Sequence, residues 1–297
     1  MRHHFLLSAL LFISIATFSS CSADDEPQNP SQPSEEEWID PDFAHVLETK
    51  GYITSSENVT PSDVADIVRL DIEDNSLSSL KGIEYFSKLE VLYCSDNQLT
   101  QLDVSKNSQL TYLSCSNNQL TQLDVSKNSQ LIYLFCASNQ LTRLDVSNNS
   151  HLAHLYCASN QLTQLDVSNN SQLTDLYCYN NQLTQLDLSN NSQLAGLDCY
   201  FNHLTQLNVS NNSQLTHLHC SSNQLTQLDI SRSTKLIAFF CHNNPGENGL
   251  FRLKSWFDNS SVPTYITAGT NILTGSAYKA SWVYNGTTVR IDYYKQI

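Results

Sequence analysis

The sequence predicts a β-rich solenoid: a parallel ladder with one short strand per 21-residue coil, no long helices on its far side, a helical N-terminal cap and a small β-rich C-terminal cap. Three observations carry this. Cys94, Cys115, Cys136, Cys157, Cys178, Cys199, Cys220 and Cys241 recur every 21 residues. Around each stands one frame, written from Leu89 as LEVLYCSDNQLTQLDVSKNSQ and again from Leu110 as LTYLSCSNNQLTQLDVSKNSQ. Two asparagine columns keep the same period, Asn97 to Asn244 and Asn107 to Asn212. A unit of this length cannot bury its apolar face alone, so stacking must supply the core.

In chain order, residues 1–20 hold Arg2 and an apolar run from Phe5 to Phe18, the length of a signal-peptide core and too short to span a bilayer. The stretch Thr17-Phe18-Ser19-Ser20-Cys21 resembles a bacterial lipobox, with Phe18 where that family usually has Leu. The resemblance implies export, cleavage before Cys21 and lipidation of its sulfur, giving a membrane anchor firm enough to hold a soluble body. Ser22-Ala23-Asp24-Asp25-Glu26 resembles the acidic surface-export signal of Bacteroidetes-type lipoproteins, which implies an outer-membrane anchor with the body at the cell surface. Residues 21–37 are acidic, Pro-rich and almost without apolar side chains, so they read as a disordered, extended tether.

Residues 38–66 read as the N-terminal cap. Asp40 is a helix N-cap with Pro41 at the first position, Phe43, Val46 and Leu47 share a face, and Gly51 stops the helix. Thr60, Pro61 and Asp63 start a second short helix. Residues 67–244 carry the repeats, beginning with a 22-residue transitional unit over Ile67 to Lys88. The frame breaks at Pro245-Gly246, and residues 245–297, with strand-like runs at Ser281 to Tyr284 and Thr288 to Tyr294, read as the C-terminal cap.

Within a coil, Leu92-Tyr93-Cys94 alternates inward, outward, inward, as a short strand demands. Leu102-Asp103-Val104 repeats the scheme in the second half, leaving no length for a helix. At these residues the chain resembles the leucine-rich repeat family, in its bacterial 21-residue form of frame LxxLxCxxNxLxxLDLxxNxx. The resemblance covers residues 67–244 and implies that the strands line a concave face which usually binds partners.

Twenty-nine acidic against fifteen basic residues, a net charge of -14, exclude a nucleic-acid backbone as partner. Cysteines stacked in register point in parallel, about 4.8 Å apart at Cβ against the roughly 3.8 Å of a disulfide, so they read as a ladder of buried free thiols. Asp103, Asp124, Asp145, Asp166, Asp187 and Asp229, with Asn208 interrupting, read as a hydrated column that supplies too few carboxylates per gap for calcium.

Positions that vary within the fixed frame mark the surface free to specialise. The outward strand column reads Tyr93, Ser114, Phe135, Tyr156, Tyr177, Asp198, His219, Phe240. The column before it reads Val91, Tyr112, Tyr133, His154, Asp175, Gly196, His217, Ala238, and the one after it includes Tyr179, Tyr200 and His242. Rigid amphipathic aromatics suit recognition, so Tyr112, Tyr133, Phe135, His154, Tyr156, Asp175, Tyr177, Tyr179, Asp198, Tyr200, His217, His219 and His242 form the expected ligand-binding set. Mutual stabilisation of neighbouring strands is the competing explanation. His217, His219 and Asp198 are weighed as a metal corner and set aside, because strands bring such groups together without convergence.

The expected function is non-enzymatic recognition or adhesion by a lipid-anchored surface protein, with a protein or carbohydrate ligand on the concave face and no cofactor. An architectural envelope spacer without a specific ligand is the alternative, and a metal-dependent site at His217, His219 and Asp198 ranks behind both. No phosphate loop, nucleophile elbow or paired-carboxylate motif stands in the chain.

Overall fold

A computed structural model describes residues 38–241, 243–246 and 250–255, together with the backbone of strands Thr267–Ala268, Asn271–Ile272, Ser281–Tyr284 and Thr287–Tyr293. The signal peptide, Cys21, the tether and His242 lie outside the described residues.

Nine three-residue strands, from Arg69–Asp71 and Val91–Tyr93 to Ala238–Phe240, form one sheet in chain order with every pairing parallel. Leu70 stands opposite Leu92, an offset of 22, and from Leu92 onward the offset is 21, through Leu113, Leu134, Leu155, Leu176, Leu197 and Leu218 to Phe239. These central residues are buried. The transitional first coil and the one-strand-per-coil ladder expected from the frame are both present.

The strands stay short because the backbone turns immediately after them. Asp96, Asn117, Ser138, Ser159, Asn180, Phe201, Ser222 and Asn243 all adopt left-handed φ between 50° and 56°. The next residue in each coil is the first asparagine column, and it fastens the turn to the coil before. Asn118 donates from Nδ2 to the carbonyls of Cys94 (3.0 Å) and Cys115 (3.2 Å), while its Oδ1 accepts from the Leu99 N–H (2.9 Å). The second column donates backwards too, as Asn128 does to Val104 (3.0 Å) and Asn107 (2.9 Å). Its Oδ1 atoms, from Asn107 to Asn212, are buried without a donor among the described residues.

The core is linear. In the coil after Leu152, the side chains of Leu152, Leu155, Cys157, Leu162 and Val167 are all fully buried. The eight repeat cysteines are buried free thiols, and burial raises their pKa well above the ordinary thiol value. In the second half of a coil, Leu102 and Val104 face in and Asp103 faces out as the frame demands. No strand forms there in the early coils; instead the Asn107 N–H donates to Val104 (3.0 Å) and the Leu110 N–H to Asn107 (3.1 Å), turning the chain on itself.

At the N-terminal end, helix α1 (Pro41–Thr49) begins where Asp40 Oδ1 accepts from the N–H groups of Asp42 and Phe43, and it ends at Gly51, φ 76°. Its buried face is Phe43, Ala44 and Leu47, with Val46 only partly buried. Phe43 stacks on Phe86 at 5.8 Å. Helix α2 (Pro61–Val64) is opened by Asp63, whose carboxylate accepts from the Thr60 N–H (2.8 Å) and hydroxyl (2.7 Å). The first strand's edge is covered by Tyr52, whose hydroxyl accepts from the Asp71 N–H at 2.9 Å.

At the other end, Leu250–Ser255 pairs in parallel with both Gln227–Asp229 and Thr287–Tyr293, and Ser281–Tyr284 pairs antiparallel with Thr287–Tyr293. The cap sheet therefore engages the second half of a coil rather than extending the nine-stranded sheet. Lys254 Nζ holds Asp229 at 2.7 Å across that junction.

Candidate functional site

Parallel strands in register place equivalent side chains one coil apart on one face, and large rings there must meet. The Arg69 guanidinium lies 4.4 Å from the centroid of Tyr93, which begins a run of ring contacts. Tyr93 meets Tyr112 at 4.7 Å, Tyr112 meets Phe135 at 5.3 Å, Phe135 stacks on Tyr156 at 4.5 Å, and Tyr156 meets Tyr177 edge-on at 4.4 Å. A side branch runs from Tyr112 to Tyr133 (5.5 Å) and on to His154, whose ring lies 4.6 Å from Tyr133 and 3° from parallel. A second run starts two residues further along the chain: Tyr179 stacks on Tyr200 at 4.4 Å, Tyr200 on His219 at 4.1 Å, and His219 meets Phe240 at 5.0 Å.

The rings expected from the sequence therefore meet in two separate runs, and their exposure differs from expectation. Of the expected set, Tyr133 and His217 are exposed, while Tyr112, Phe135, His154, Tyr156, Asp175, Tyr177, Tyr179, Asp198, Tyr200 and His219 are half-buried. The rings partly cover one another, face to face at Phe135–Tyr156, Tyr179–Tyr200 and Tyr200–His219 and edge-on at Tyr156–Tyr177. Two positions placed outward by the frame are buried. Ser114 is buried with its Oγ 2.6 Å from Ser95 Oγ, and Gly196 lies beneath Asp175.

Polar groups adjoin the rings on the same face. His154 Nδ1 is 2.9 Å from Asp175 Oδ2, which also accepts from Thr174 Oγ1 at 2.9 Å. Burial raises the Asp198 carboxyl above its ordinary pKa, against the opposing pull of His217. Burial, with the neighbouring phenol of Tyr177 and the Asp175 carboxylate, pushes Tyr156 up to about 12, and Tyr112 rises to about 12 through burial and the neighbouring Tyr93. These phenols remain proton donors throughout the physiological range.

The weighed metal corner is organised by other contacts. His217 Nδ1 lies 2.9 Å from Thr216 Oγ1, and His219 is held between Tyr200 and Phe240. Among the described residues no three His, Cys, Asp or Glu side chains converge. The aspartate column is engaged locally: Asp103, Asp124, Asp145, Asp166 and Asp187 each accept from the N–H of the serine two residues on. Asn208 makes the same bond to Ser210 at 3.0 Å.

Sequence reasoning left Arg69 out of the set and passed over Phe201, which is 58% exposed and touches Tyr200 edge-on at 5.5 Å. The signal for Phe201 was available: every other repeat fills that position with Asp, Asn or Ser.

The LVIVD repeat model matches residues 132–157 and 153–181. Among solved structures, the chain is similar to the functional domain of InlJ from Listeria monocytogenes, described as including a cysteine ladder, at 35% identity and TM-score 0.61 over 74% of this chain and 56% of that one. It is similar to a leucine-rich repeat protein of Leptospira interrogans at 27% identity and TM-score 0.58, over 60% of this chain and 50% of that one. Internalin C2 of Listeria monocytogenes shares the fold at 22% identity and TM-score 0.51, over 86% of this chain and 95% of that one. The chain thus spans about half the length of the first two. No curated protein matches it. The fold is a solenoid of the leucine-rich repeat type, with few helices and a 21-residue coil.

Proposed function

We propose that the chain is a non-enzymatic recognition protein, exported and anchored by lipid at Cys21 to the outer membrane with its body at the cell surface, whose strand face binds a protein ligand. Solenoids of the leucine-rich repeat type are commonly used for protein recognition, and their stacked strands offer an extended surface. The observation that carries the reading is the stripe from Tyr93 to Phe240: large rings occupy the variable positions of an otherwise fixed frame.

The chemistry of the stripe favours protein over carbohydrate. A sugar stacks on an open ring face, and in Phe135, Tyr156, Tyr179 and Tyr200 faces are occupied by the neighbouring ring. The half-exposed rings that remain, with the more exposed Tyr133, suit the apolar side chains of a peptide. Mutual stacking is also what the spacer reading requires, so experiment must separate the two.

The test exposes the full chain and its Tyr156→Ser, Tyr177→Ser, Tyr179→Ser triple variant to a displayed library of random peptides and to a glycan array. Peptide capture by the wild type and its loss in a folded triple variant supports the reading. Capture of nothing by the wild type supports the spacer, and capture of glycans alone replaces the protein ligand. For the anchor, Cys21→Ser should move the protein from the detergent phase to the soluble fraction, and protease added to intact cells should digest the wild type if the body is outside.

A further inference from the structure

The fold imposes left-handed backbone at one position of every coil, with φ from 50° to 56° between Asp96 and Asn243. Seven of these eight positions carry Asp, Asn or Ser, short polar residues that suit turns, and several bond along the column, as Asn117 Nδ2 does to Asp96 Oδ1 (2.9 Å) and Asn180 Nδ2 to Ser159 Oγ (3.2 Å). The eighth carries Phe201, φ 50°. A phenyl group offers no such bond, so the backbone there is strained. The ring is also 58% exposed, more than any other large apolar side chain among the described residues. Strain combined with exposed apolar surface contributes nothing to the core, and such outliers concentrate where a ligand is held.

The surroundings define what fits. Tyr179, Tyr200 and His219 are stacked face to face beside it, whereas Phe201 meets Tyr200 at 63° and so keeps a face open. The amide of Asn180, its neighbour in the column, is spent on Ser159 Oγ at 3.2 Å, and that of Asn202 on the carbonyls of Cys178 and Cys199. These two asparagine amides beside the open ring are therefore already engaged and are not offered to sugar hydroxyls. Asp175 and Asp198 stand on the adjoining strand face, and the chain as a whole carries -14. We propose that Phe201 is the apolar anchor of the protein-binding face, seating an aliphatic or proline side chain of a partner segment that carries basic residues beside it. The proposal rests on the strand-face reading above and adds to it the anchor and the partner's chemistry.

Phe201→Asn in the full chain tests it, because Asn satisfies the left-handed turn and removes the ring. Thermal unfolding should move up by about 2–4 °C. Peptides selected from the random library on the wild type should carry an apolar residue flanked by Lys or Arg, and Phe201→Asn should weaken the tightest of them by about tenfold or more. A lower melting temperature for Phe201→Asn assigns the ring a packing role and overturns the proposal. Undiminished peptide binding by Phe201→Asn, with loss in Tyr156→Ser, overturns the anchor and leaves the strand-face reading standing. No peptide selected by the wild type removes both. Glycan binding that disappears with Phe201→Asn makes the occupant a sugar and overturns the peptide assignment.

Discussion

The carboxylate of Asp175 lies so close over Gly196 that a Cβ added to the glycine would stand 2.6 Å from Asp175 Oδ1. That carboxylate is not free to swing aside, because His154 Nδ1 and Thr174 Oγ1 each hold Oδ2 at 2.9 Å. Gly196→Ala should therefore push Asp175 off His154 and destabilise the chain by about 1 kcal/mol, the low end for overpacking. In an Asp175→Ala background the same change should be nearly free. Urea denaturation of the four proteins measures the coupling, and additive effects within about 0.5 kcal/mol would show that the contact does not govern the site.

Alkali should unfold this protein through its thiols. Burial raises the repeat cysteines above the ordinary value of 9.0, and for Cys241 to about 12. The folded state thus keeps protons that the unfolded state releases, so stability is intact below about pH 9 and falls as pH rises beyond it. Each such thiol removes about 1.4 kcal/mol per pH unit in that window, and eight act together. Circular dichroism should show cooperative loss of structure between about pH 9 and pH 11. A chain with Cys136, Cys157 and Cys178 changed to Ala should resist to higher pH, and equal midpoints for the two would refute the thiol origin.

The coil, the ladder and both caps were readable because a period of 21 residues leaves one way to bury Leu92, Cys94 and Leu99 together in each unit. The positions of the rings were readable for the same reason, since alternation assigns Tyr156 and Tyr177 outward. Their contacts were not. Whether a ring stands free or lies on its neighbour depends on rotamers, which the frame does not encode, so the half-burial of Tyr156 and the burial of Ser114 emerged only in three dimensions. Phe201 was missed because reasoning followed the strand columns, while its consequence comes from the backbone angle of the turn. The pairing of Leu250–Ser255 with Gln227–Asp229 was likewise hidden, since the marks that set the second half of that coil apart, Ile230, and Ser233 in place of the column asparagine, do not name a partner strand.

The two asparagine columns should differ in cost. Asn160 donates to the carbonyls of Cys136, Cys157 and Ala158 and accepts from the Leu141 N–H, so Asn160→Ala strands buried backbone groups on two coils. Asn149 donates to Val125 and Asn128 while its Oδ1 is already without a donor among the described residues. Removing Asn149 also removes an unsatisfied acceptor, which offsets part of the loss. Asn160→Ala should cost about 2–4 kcal/mol and Asn149→Ala about half that. Denaturant midpoints with unchanged slopes decide it, and a larger loss for Asn149→Ala would mean that its Oδ1 has a partner in solution.

The aspartate column should be replaceable by asparagine with little loss, because the protein already does so once. Asn208 accepts from the Ser210 N–H at 3.0 Å as Asp145 accepts from Ser147 at 2.9 Å. The Ser147 hydroxyl, then its N–H, hold the Asp145 carboxyl below its ordinary pKa. A depressed folded pKa stabilises above the unfolded value of 3.8 and loses that contribution as pH falls through the folded one. The group is exposed, so screening keeps the effect small, and Asp145→Asn should change stability at pH 7 by no more than about 0.5 kcal/mol. Any advantage of the wild type should shrink as pH is lowered from 5 toward 3. An advantage that grows on acidification would mean that the carboxylate is repelled by its column neighbours more than it is held by its serine.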